Sequence, residues 1–305
     1  MTSGSQPSDQ LEFLAAEVRN FQEIAKYILP LPGEIPTLGG IEVYGGVIPF
    51  YGVCGGDHVI YVDFKKRFDL DARIRQAAEK GRQDIVANLE RLKRVAGIVI
   101  LDVSGHQTTD TILAAMLHQA FLLGAIYELD MYGEITNRLF ENLNTRFYNS
   151  SSLSKYVTMI YGEITEDCTF RFLSAGHPSP VVFSNKHDRF MDVSPDLCTS
   201  FAPIGSLPSG NVIDRNRSRS VLGYKDRYEV NEWRLMGSGD IVMLYTDGLT
   251  EHAKNGKLYF PGVLEEKVRE VKHLSARAIF EAIKAHLLEY ARPADDTSFV
   301  VIKRT

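Results

Sequence analysis

Apolar positions along the chain predict strands towards both ends and helices between them. Alternating or continuous apolar runs predict strands at 41–47, 59–64, 97–103, 156–164, 169–174, 181–184, 241–245 and 297–303. Helical periodicity marks the apolar stretch after Thr108, the stretch at about 132–148, and residues 275–291, where Ser275 is a favourable N-cap. Because no βαβ alternation runs through the chain, this order predicts an α+β layered fold.

The segment 9–29 is predicted to be a separate amphipathic helix, ended by the proline-containing run at 29–33. Its apolar residues alternate at spacings of three and four, which is a heptad seam typical of a contact between two helices. They are Leu11, Leu14, Val18, Phe21, Ala25 and Ile28. We therefore divide the chain into 1–31, a tail and helix for dimerisation or regulation, and 32–305, the main domain. A homodimer through this seam and packing of the seam on its own domain are both compatible with the pattern.

Composition narrows the class of protein. Hydrophobic residues make up 44% of the chain and charged residues 24%, which is typical of a globular protein with a sizeable core. The net charge of −5 argues against a nucleic-acid binder that works through overall positive charge. Three scattered cysteines do not form a disulfide or zinc pattern. The N-terminal residues lack a signal-peptide pattern and no run of about 18 apolar residues occurs, so we expect a cytoplasmic protein that binds no membrane.

Four aspartates share one sequence context, at the end or the beginning of a predicted strand and beside a glycine-rich or polar turn. They are Asp57, Asp102, Asp247 and Asp295. A carboxylate at the end of an apolar strand needs a partner, and a hard divalent cation with a preference for oxygen ligands is one such partner. A single Asp-Gly pair is typical of an ordinary turn. The hypothesis of a metal site therefore depends on the four aspartates taken together.

The segments around these aspartates resemble one known family. In order they read GGD at 55–57, DVSGH at 102–106, SAGHP at 174–178, YTDGLTE at 245–251 and DDTSFVVIK at 295–303. This set resembles the PPM family of metal-dependent protein serine/threonine phosphatases, in particular the bacterial branch typified by stage II sporulation protein E and the phosphatase of the sigma-B stress pathway. The resemblance extends from about residue 31 to residue 303. It implies a PPM phosphatase fold, with two stacked antiparallel β-sheets flanked by helices.

The resemblance also implies a two-metal site for Mn²⁺ or Mg²⁺. It implies that Asp102 bridges both cations and that the carbonyl of Val103 completes one shell. Asp247 and Asp295 are implied as ligands of the first cation. Asp57 is implied to hold the second, directly or through water, and Asp102 and Asp247 are the catalytic pair. The implied reaction is attack by metal-activated water on phosphoserine or phosphothreonine of a phosphorylated partner protein, in this branch often an anti-sigma-factor antagonist.

Further residues of these motifs have supporting roles in this interpretation. Asp296 is assigned to an outer shell, and Thr246 and Thr297 are predicted to hydrogen-bond the metal-binding aspartates. His106 and His177 are interpreted mainly as residues that order loops around the site. Proton donation by His106 to the leaving group remains the alternative.

Two departures from the family pattern affect the prediction. Gln107 stands where the family has glycine, and a positive φ at that position would strain the loop. The chain also has a charged helical insertion at about 65–96, in which residues 65–94 contain ten Lys and Arg against five Asp and Glu, a local charge of +5. It is interpreted either as a solvated helix packed on the domain or as a docking element beside the active site.

The sequence leaves two alternatives to an active phosphatase. A catalytically inactive, phosphatase-like scaffold that binds a phosphoprotein or a regulator is the alternative from the non-enzyme class. The GGD at 55–57 suggests a nucleotide cyclase, but His58 and Val59 do not continue the GGDEF pattern.

Overall fold

Two β-sheets lie face to face in this protein, and helices cover the outer face of each. The computed structural model describes residues 7–50, 55–105, 110–150, 155–210, 220–234 and 237–305. In spatial order the first sheet contains β1 (Ile41–Ile48), β13 (Thr297–Arg304), β10 (Ile241–Tyr245), β6 (Val181–Ser184) and β7 (Arg189–Met191). Its neighbouring strands are all antiparallel.

The second sheet is built around a long central pair of strands. In spatial order it contains β2 (His58–Asp63), β3 (Val95–Val103), β4 (Val157–Thr165), β5 (Phe170–Ala175) and β8 (Ser200–Phe201), while β9 (Asn231–Trp233) pairs with another part of β5. The predicted α+β arrangement of two stacked antiparallel sheets is confirmed. The short pair β5–β8 is a local exception, because these two strands run parallel.

The side chains of β3 show why the sheets stack in this way. Ile98 and Ile100 lie in the core between the two sheets, where they meet Val300 of the first sheet. Val99 and Leu101 lie in a second core on the helical side. Successive side chains of a strand point to opposite faces, so an unbroken apolar run is buried on both of them.

Helices form an outer layer on each sheet. Those on the second sheet are α2 (Phe64–Arg67), α3 (Leu70–Glu79), α4 (Gln83–Leu92), α5 (Asp110–Tyr132) and α6 (Asn137–Ser150). Those on the first sheet are α7 (Asp247–Thr250), α8 (Gly262–Val271) and α9 (Ala276–Tyr290). The N-cap prediction for α9 is confirmed, since the Ala278 amide donates to the Ser275 hydroxyl at 3.3 Å. The chain also forms a short hairpin of β11 (Ala253–Lys254) and β12 (Lys257–Leu258).

The charged segment forms three short helices and not the single helix that the pattern predicted. They are α2, α3 and α4, and Gly81, with a left-handed φ of +70°, lies between α3 and α4. Ala77, Leu89 and Leu92 are buried. The segment therefore packs on the domain through an apolar face.

This segment joins the end of β2 to the beginning of β3, at the opposite end of both strands from Asp57 and Asp102. Six residues at about 3.3 Å each separate those two ends by roughly 20 Å. The part of the hypothesis that places this docking or regulatory element beside the active site is therefore wrong. Many of its cations are also paired with carboxylates: Arg73 with Asp130, Arg82 with Asp84, Arg91 with Glu134 and Glu163, Lys93 with Asp71 and Glu90, and Arg94 with Glu166.

Helix α5 is long and apolar enough to cross a membrane, judged by length and composition alone, and it is the one such helix in the part of the chain that the structure describes. One face of it, with Leu117, Phe121 and Leu129, lies in the core against the second sheet. Its other face leaves Leu123 and Tyr127 exposed. Packing on the sheet accounts for its apolar composition.

Helix α1 (Pro7–Ile28) lies against α5 and carries the predicted heptad seam. Leu11, Leu14 and Val18 are 68%, 58% and 54% exposed. This part of the seam therefore does not pack on its own domain. The side chains of Ala25 and Ile28, which complete the predicted seam, lie outside the described set.

Candidate metal centre

Two aspartates reach one end of the second sheet through strand pairing. His58 at the start of β2 pairs with Leu101 near the end of β3, so the next residues, Asp57 and Asp102, lie side by side. Asp102 also pairs with Thr158 of β4. The loop before β2 and the turn after β3 are in contact, because the Val103 amide donates to the carbonyl of Gly56 at 3.4 Å.

The first sheet brings further acidic residues to the same place. Strand β10 ends just before Asp247, and the antiparallel strand β13 begins just after Asp295 and Asp296. Two hydrogen bonds join them to the other sheet. The Thr246 hydroxyl donates to Asp57 Oδ2 at 2.7 Å. The amide of Gly56 donates to Asp296 Oδ2 at 2.9 Å. The structure thus brings the predicted aspartates of both sheets into one acidic cluster: Asp57, Asp102, Asp247, Asp295 and Asp296.

Glycines allow this close approach of the backbone. A Cβ on Gly55 would lie 1.8 Å from a carboxylate oxygen of Asp296, and a Cβ on Gly248 would lie 1.9 Å from the Asp296 carbonyl. A Cβ on Gly56 would lie 2.9 Å from the carbonyl oxygen of Val103, the predicted backbone ligand. A larger residue at 248 would therefore force the Asp296 backbone away, and a larger residue at 55 would displace the Asp296 carboxylate.

The cluster concentrates negative charge in a buried place. Burial raises the pKa of Asp57 well above the usual carboxyl range, and the neighbouring Asp296 and Asp247 raise it further. Burial also raises the pKa of Asp102, with additional repulsion from Asp57 and Asp247. Each of these carboxylates is therefore destabilised in its charged form until positive charge is supplied.

The donor set is the one that a hard divalent cation prefers. It consists of carboxylate oxygens and the Val103 carbonyl, and Mg²⁺ and Mn²⁺ favour oxygen ligands. Within the described ranges, no three acidic, cysteine or histidine side chains are gathered closely enough to hold one metal ion. Mutual repulsion is a physical reason for carboxylates to remain apart, and charge neutralisation would favour their convergence. The residues fit a divalent cation in donor chemistry and in charge.

Asp296 and the two threonines have different roles in the cluster. The Asp296 carboxylate accepts the amides of Phe50, at 2.8 Å, and of Gly56, so it holds the residue before Asp57 in place. Thr246 bonds the Asp57 carboxylate, as predicted. Thr297 donates to the backbone carbonyl of Asp295 at 3.4 Å, so it also bonds one of the aspartates beside it.

His177 is buried, and its Nδ1 lies 3.1 Å from the Thr158 hydroxyl. Burial lowers the pKa of His177 to about 3, so the ring is neutral and suits a structural role better than proton donation. His106 and Gln107 lie outside the residues that the structure describes.

A lysine that the motifs did not indicate braces the turn after Asp102. Lys155 Nζ donates to the Ser104 carbonyl at 2.6 Å and lies 2.9 Å from Asp110 Oδ1. Asp110, at the start of α5, is 1% exposed. The turn also contains Gly105, with φ +114°. The sequence signal for this brace is weak, since the two charged residues are far apart along the chain.

A buried histidine pair lies behind Asp57, and the motifs did not indicate it either. His58 Nε2 and His118 Nδ1 are 2.7 Å apart, and both rings are almost fully buried. Burial lowers the pKa of His58 to about 3 and of His118 to about 4. Both rings are therefore neutral, and one donates a hydrogen bond to the other. The pair connects α5 to the strand that follows Asp57.

Thr246→Val is expected to lower Mn²⁺ affinity about 10–100-fold, because the hydroxyl that orients Asp57 is removed. Calorimetric titration of the chelator-treated protein with Mn²⁺ measures this. Thr136→Val is the matched control, since the Thr136 hydroxyl also donates to a buried carboxylate, Glu128 Oε2 at 2.5 Å, away from the acidic cluster. Equal Mn²⁺ affinity in the wild type and Thr246→Val would contradict the role given to Thr246.

Comparison with known proteins places this geometry in a family. The family model for stage II sporulation protein E matches residues 93–305, more than half of the chain. No individually curated protein matches the chain in sequence.

Solved structures share the fold. The SiaA-PP2C domain of Pseudomonas aeruginosa is 14% identical with a TM-score of 0.59, over 97% of this chain and 98% of that one. The RsbU and RsbW domains of a Mycobacterium tuberculosis protein are 18% identical with a TM-score of 0.58, over 88% of this chain and 61% of that one. The PP2C phosphatase domain with a regulatory fragment of SpoIIE from Bacillus subtilis is 16% identical with a TM-score of 0.57, over 86% and 63%.

This chain therefore spans somewhat less than two thirds of the mycobacterial and Bacillus chains. The matched segment includes Asp102, Asp247 and Asp295, three of the four aspartates that the motifs singled out. The matched family agrees with the observed geometry, in which two stacked sheets bring the acidic cluster to one end. The chain belongs to the stage II sporulation protein E family, with a PP2C-type phosphatase fold.

Proposed function

We infer that this protein is a metal-dependent protein serine/threonine phosphatase. The observation that carries the inference is the acidic cluster, in which loops of both sheets bring Asp57, Asp102, Asp247 and Asp295 to one end of the sandwich. Membership of a phosphatase family supports the same reaction. The substrate class is phosphoserine or phosphothreonine in another protein.

Asp57, Asp102, Asp247, Asp295 and the Val103 carbonyl would hold two divalent cations, Mn²⁺ or Mg²⁺. Such cations supply an activated water and neutralise charge on the phosphoryl oxygens. The rest of the site positions these ligands. Thr246 orients Asp57, and Asp296 holds the residue before it through the Gly56 amide. Lys155 fixes the turn that follows Asp102 and Val103.

The partner in this proposal is a phosphorylated regulatory protein, and an anti-sigma-factor antagonist is the first choice. The family match and the likeness to an RsbU domain support this class of substrate. The proposal places the protein in the cytoplasm, in agreement with such a partner.

Three phosphopeptides of one sequence, carrying phosphoserine, phosphothreonine or phosphotyrosine, test the function. With Mn²⁺ we expect phosphate release from the first two and little from the third. Asp247→Asn, which lacks one proposed metal ligand, is the matched control and is expected to release none. Binding of a phosphopeptide without release by the wild type would instead support the inactive scaffold.

The N-terminal helix is proposed to form a homodimer. The exposed seam residues Leu11, Leu14 and Val18 need a partner helix, and α1 alone is too short to pair strongly without help from the domain. Light scattering at micromolar concentration is expected to give a dimer mass for the full chain and a monomer mass for Leu14→Glu combined with Val18→Glu. Ala16→Glu, on the opposite side of α1, is the control and should remain a dimer. A monomeric full chain would contradict the proposal.

A further inference from the structure

A cavity of about 790 Å³ lies on the outer face of the second sheet, between the α5–α6 connection, β4, β5 and residues 227–230. Its floor includes Glu163, which follows Thr158 by five residues along β4, and Thr158 pairs with Asp102. At about 3.3 Å per residue the floor is roughly 16 Å from that pair. The cavity is therefore separate from the acidic cluster, and its volume suits a small organic molecule.

Two carboxylates of the cavity wall, Glu163 and Glu134, share one cation behind it, Arg91. Glu163 Oε1 accepts the Tyr161 hydroxyl at 2.7 Å, and Glu163 Oε2 accepts Arg91 Nη1 at 3.3 Å. The second terminal nitrogen of Arg91, Nη2, donates to Glu134 Oε2 at 3.1 Å. Arg91 does not line the cavity, so it neutralises acidic side chains of the wall without offering its own charge to the interior.

The third acidic residue of the wall is neutralised in the same way. Both oxygens of Glu141 accept Lys225 Nζ, at 3.1 and 2.9 Å, and one of them also accepts the amide of Tyr228 at 2.6 Å. Lys225 is buried and is absent from the cavity lining. Arg91 and Lys225 together offset two of the three negative charges of these acidic side chains.

Three arginines of the lining are paired only weakly, or not at all, with other described side chains. Arg227 has no ion pair or hydrogen bond from its side chain to any residue that the structure describes. Arg138 donates to a neutral group, the Tyr132 hydroxyl, at 2.9 Å. Arg171 meets Glu232 at 3.7 Å, and both side chains are 40% or more exposed. The cavity thus has an excess of available guanidinium groups, which bind carboxylate and phosphate in a bidentate way.

Thr136, Asn137, Asn142 and Tyr161 add neutral polar groups to the remaining wall. The rest of the wall is apolar and is formed by Ile135, Phe140, Phe172, Leu173 and Val230. We propose that this cavity binds a small organic anion, with a carboxylate or phosphate held by Arg138, Arg171 and Arg227 and an apolar body against these side chains. The three arginines come from α6, from β5 and from the segment before β9, so a bound anion would connect these three elements.

Binding of 2-naphthoate and of its neutral analogue 2-naphthamide, by calorimetry in the presence of EDTA, tests this proposal. Chelation removes any metal-dependent binding at the acidic cluster. We expect 2-naphthoate to bind, and 2-naphthamide to bind at least about tenfold more weakly, because a charged hydrogen bond contributes that much affinity. Failure of 2-naphthoate to bind at millimolar concentration, or equal affinity for both probes, would overturn the proposal.

Substitutions of arginines that line the cavity test whether 2-naphthoate binds there. Arg227→Gln, an exposed position, and Arg171→Gln are each expected to weaken 2-naphthoate binding about tenfold. Arg94→Gln is the control, since Arg94 is also exposed, pairs with Glu166 and lies outside the cavity. Unchanged thermal unfolding shows that the variants fold. Unchanged 2-naphthoate affinity in both cavity variants would refute the assignment, even if the protein proves to be an active phosphatase.

Discussion

Asp102→Asn is expected to abolish Mn²⁺-dependent hydrolysis of p-nitrophenyl phosphate and, at the same time, to stabilise the metal-free protein. Loss of an outer-shell partner costs about 10–100-fold in activity, so loss of a residue that would itself hold the cations should cost more than about 100-fold. Stability should rise because the charged form of Asp102 is disfavoured by burial and then by Asp57 and Asp247. Asparagine keeps the shape of the side chain and removes its charge.

The stability effect has a defined pH dependence. The pKa of Asp102 is raised in the folded protein, so the folded state binds the proton more tightly than the unfolded state does. In EDTA the wild type should therefore lose stability as the pH rises from about 5 to about 8, and Asp102→Asn should lose less. Urea unfolding at the two pH values measures this.

Asp84→Asn is the control for this experiment, because Asp84 is an exposed acid paired with Arg82 far from the acidic cluster. It should retain Mn²⁺-dependent turnover and the pH dependence of the wild type. Near-wild-type turnover in Asp102→Asn would contradict the site assignment. A metal-free Asp102→Asn protein less stable than the wild type at about pH 8 would contradict the electrostatic account.

Lys155→Met is expected to lower the free energy of unfolding by about 3 kcal/mol, because Asp110 is almost fully buried and loses its cation. Mn²⁺ affinity should fall as well, since Lys155 Nζ also bonds the Ser104 carbonyl in the turn after Asp102. Lys155→Met combined with Asp110→Asn removes both charges and should recover much of the stability. Urea unfolding in EDTA and Mn²⁺ titration measure the two effects separately.

Lys272→Met is the matched control. Lys272 and Lys155 have side chains with the same exposure, 25%, but Lys272 pairs with Asp188, which is 47% exposed. This control should cost less stability and leave Mn²⁺ affinity unchanged. Equal losses of stability and of Mn²⁺ affinity in Lys155→Met and Lys272→Met would show that the lysine beside Ser104 has no specific role.

Strands with a simple apolar pattern were predictable from the sequence. Strands β6 and β10 occupy the predicted residues 181–184 and 241–245, because each is a short apolar run bounded by polar or turn residues. Strands β8 and β9 were missed, since two or three residues do not show a period. The charged segment was predicted as one helix because its apolar stripe continues past Gly81, where the backbone turns.

The acidic cluster was predictable only in part. The motifs identified the aspartates, but which carboxylates meet depends on pairing between distant strands, such as His58 with Leu101. The brace of Lys155 on Ser104 and Asp110 depends on tertiary contacts between the turn after β3, the start of α5 and the beginning of β4. No periodicity or local spacing marks such contacts, so a single sequence does not contain a readable signal for them.

The number of metal ions bound per chain, measured together with turnover, tests the central claim most directly. Calorimetric titration of the chelator-treated wild type with Mn²⁺ should give two ions per chain, with fewer in Asp247→Asn. Phosphate release from a phosphothreonine peptide should be absent in EDTA and should rise as these ions bind. A wild-type chain that binds no Mn²⁺, or that releases phosphate equally well in EDTA, would contradict a two-metal phosphatase.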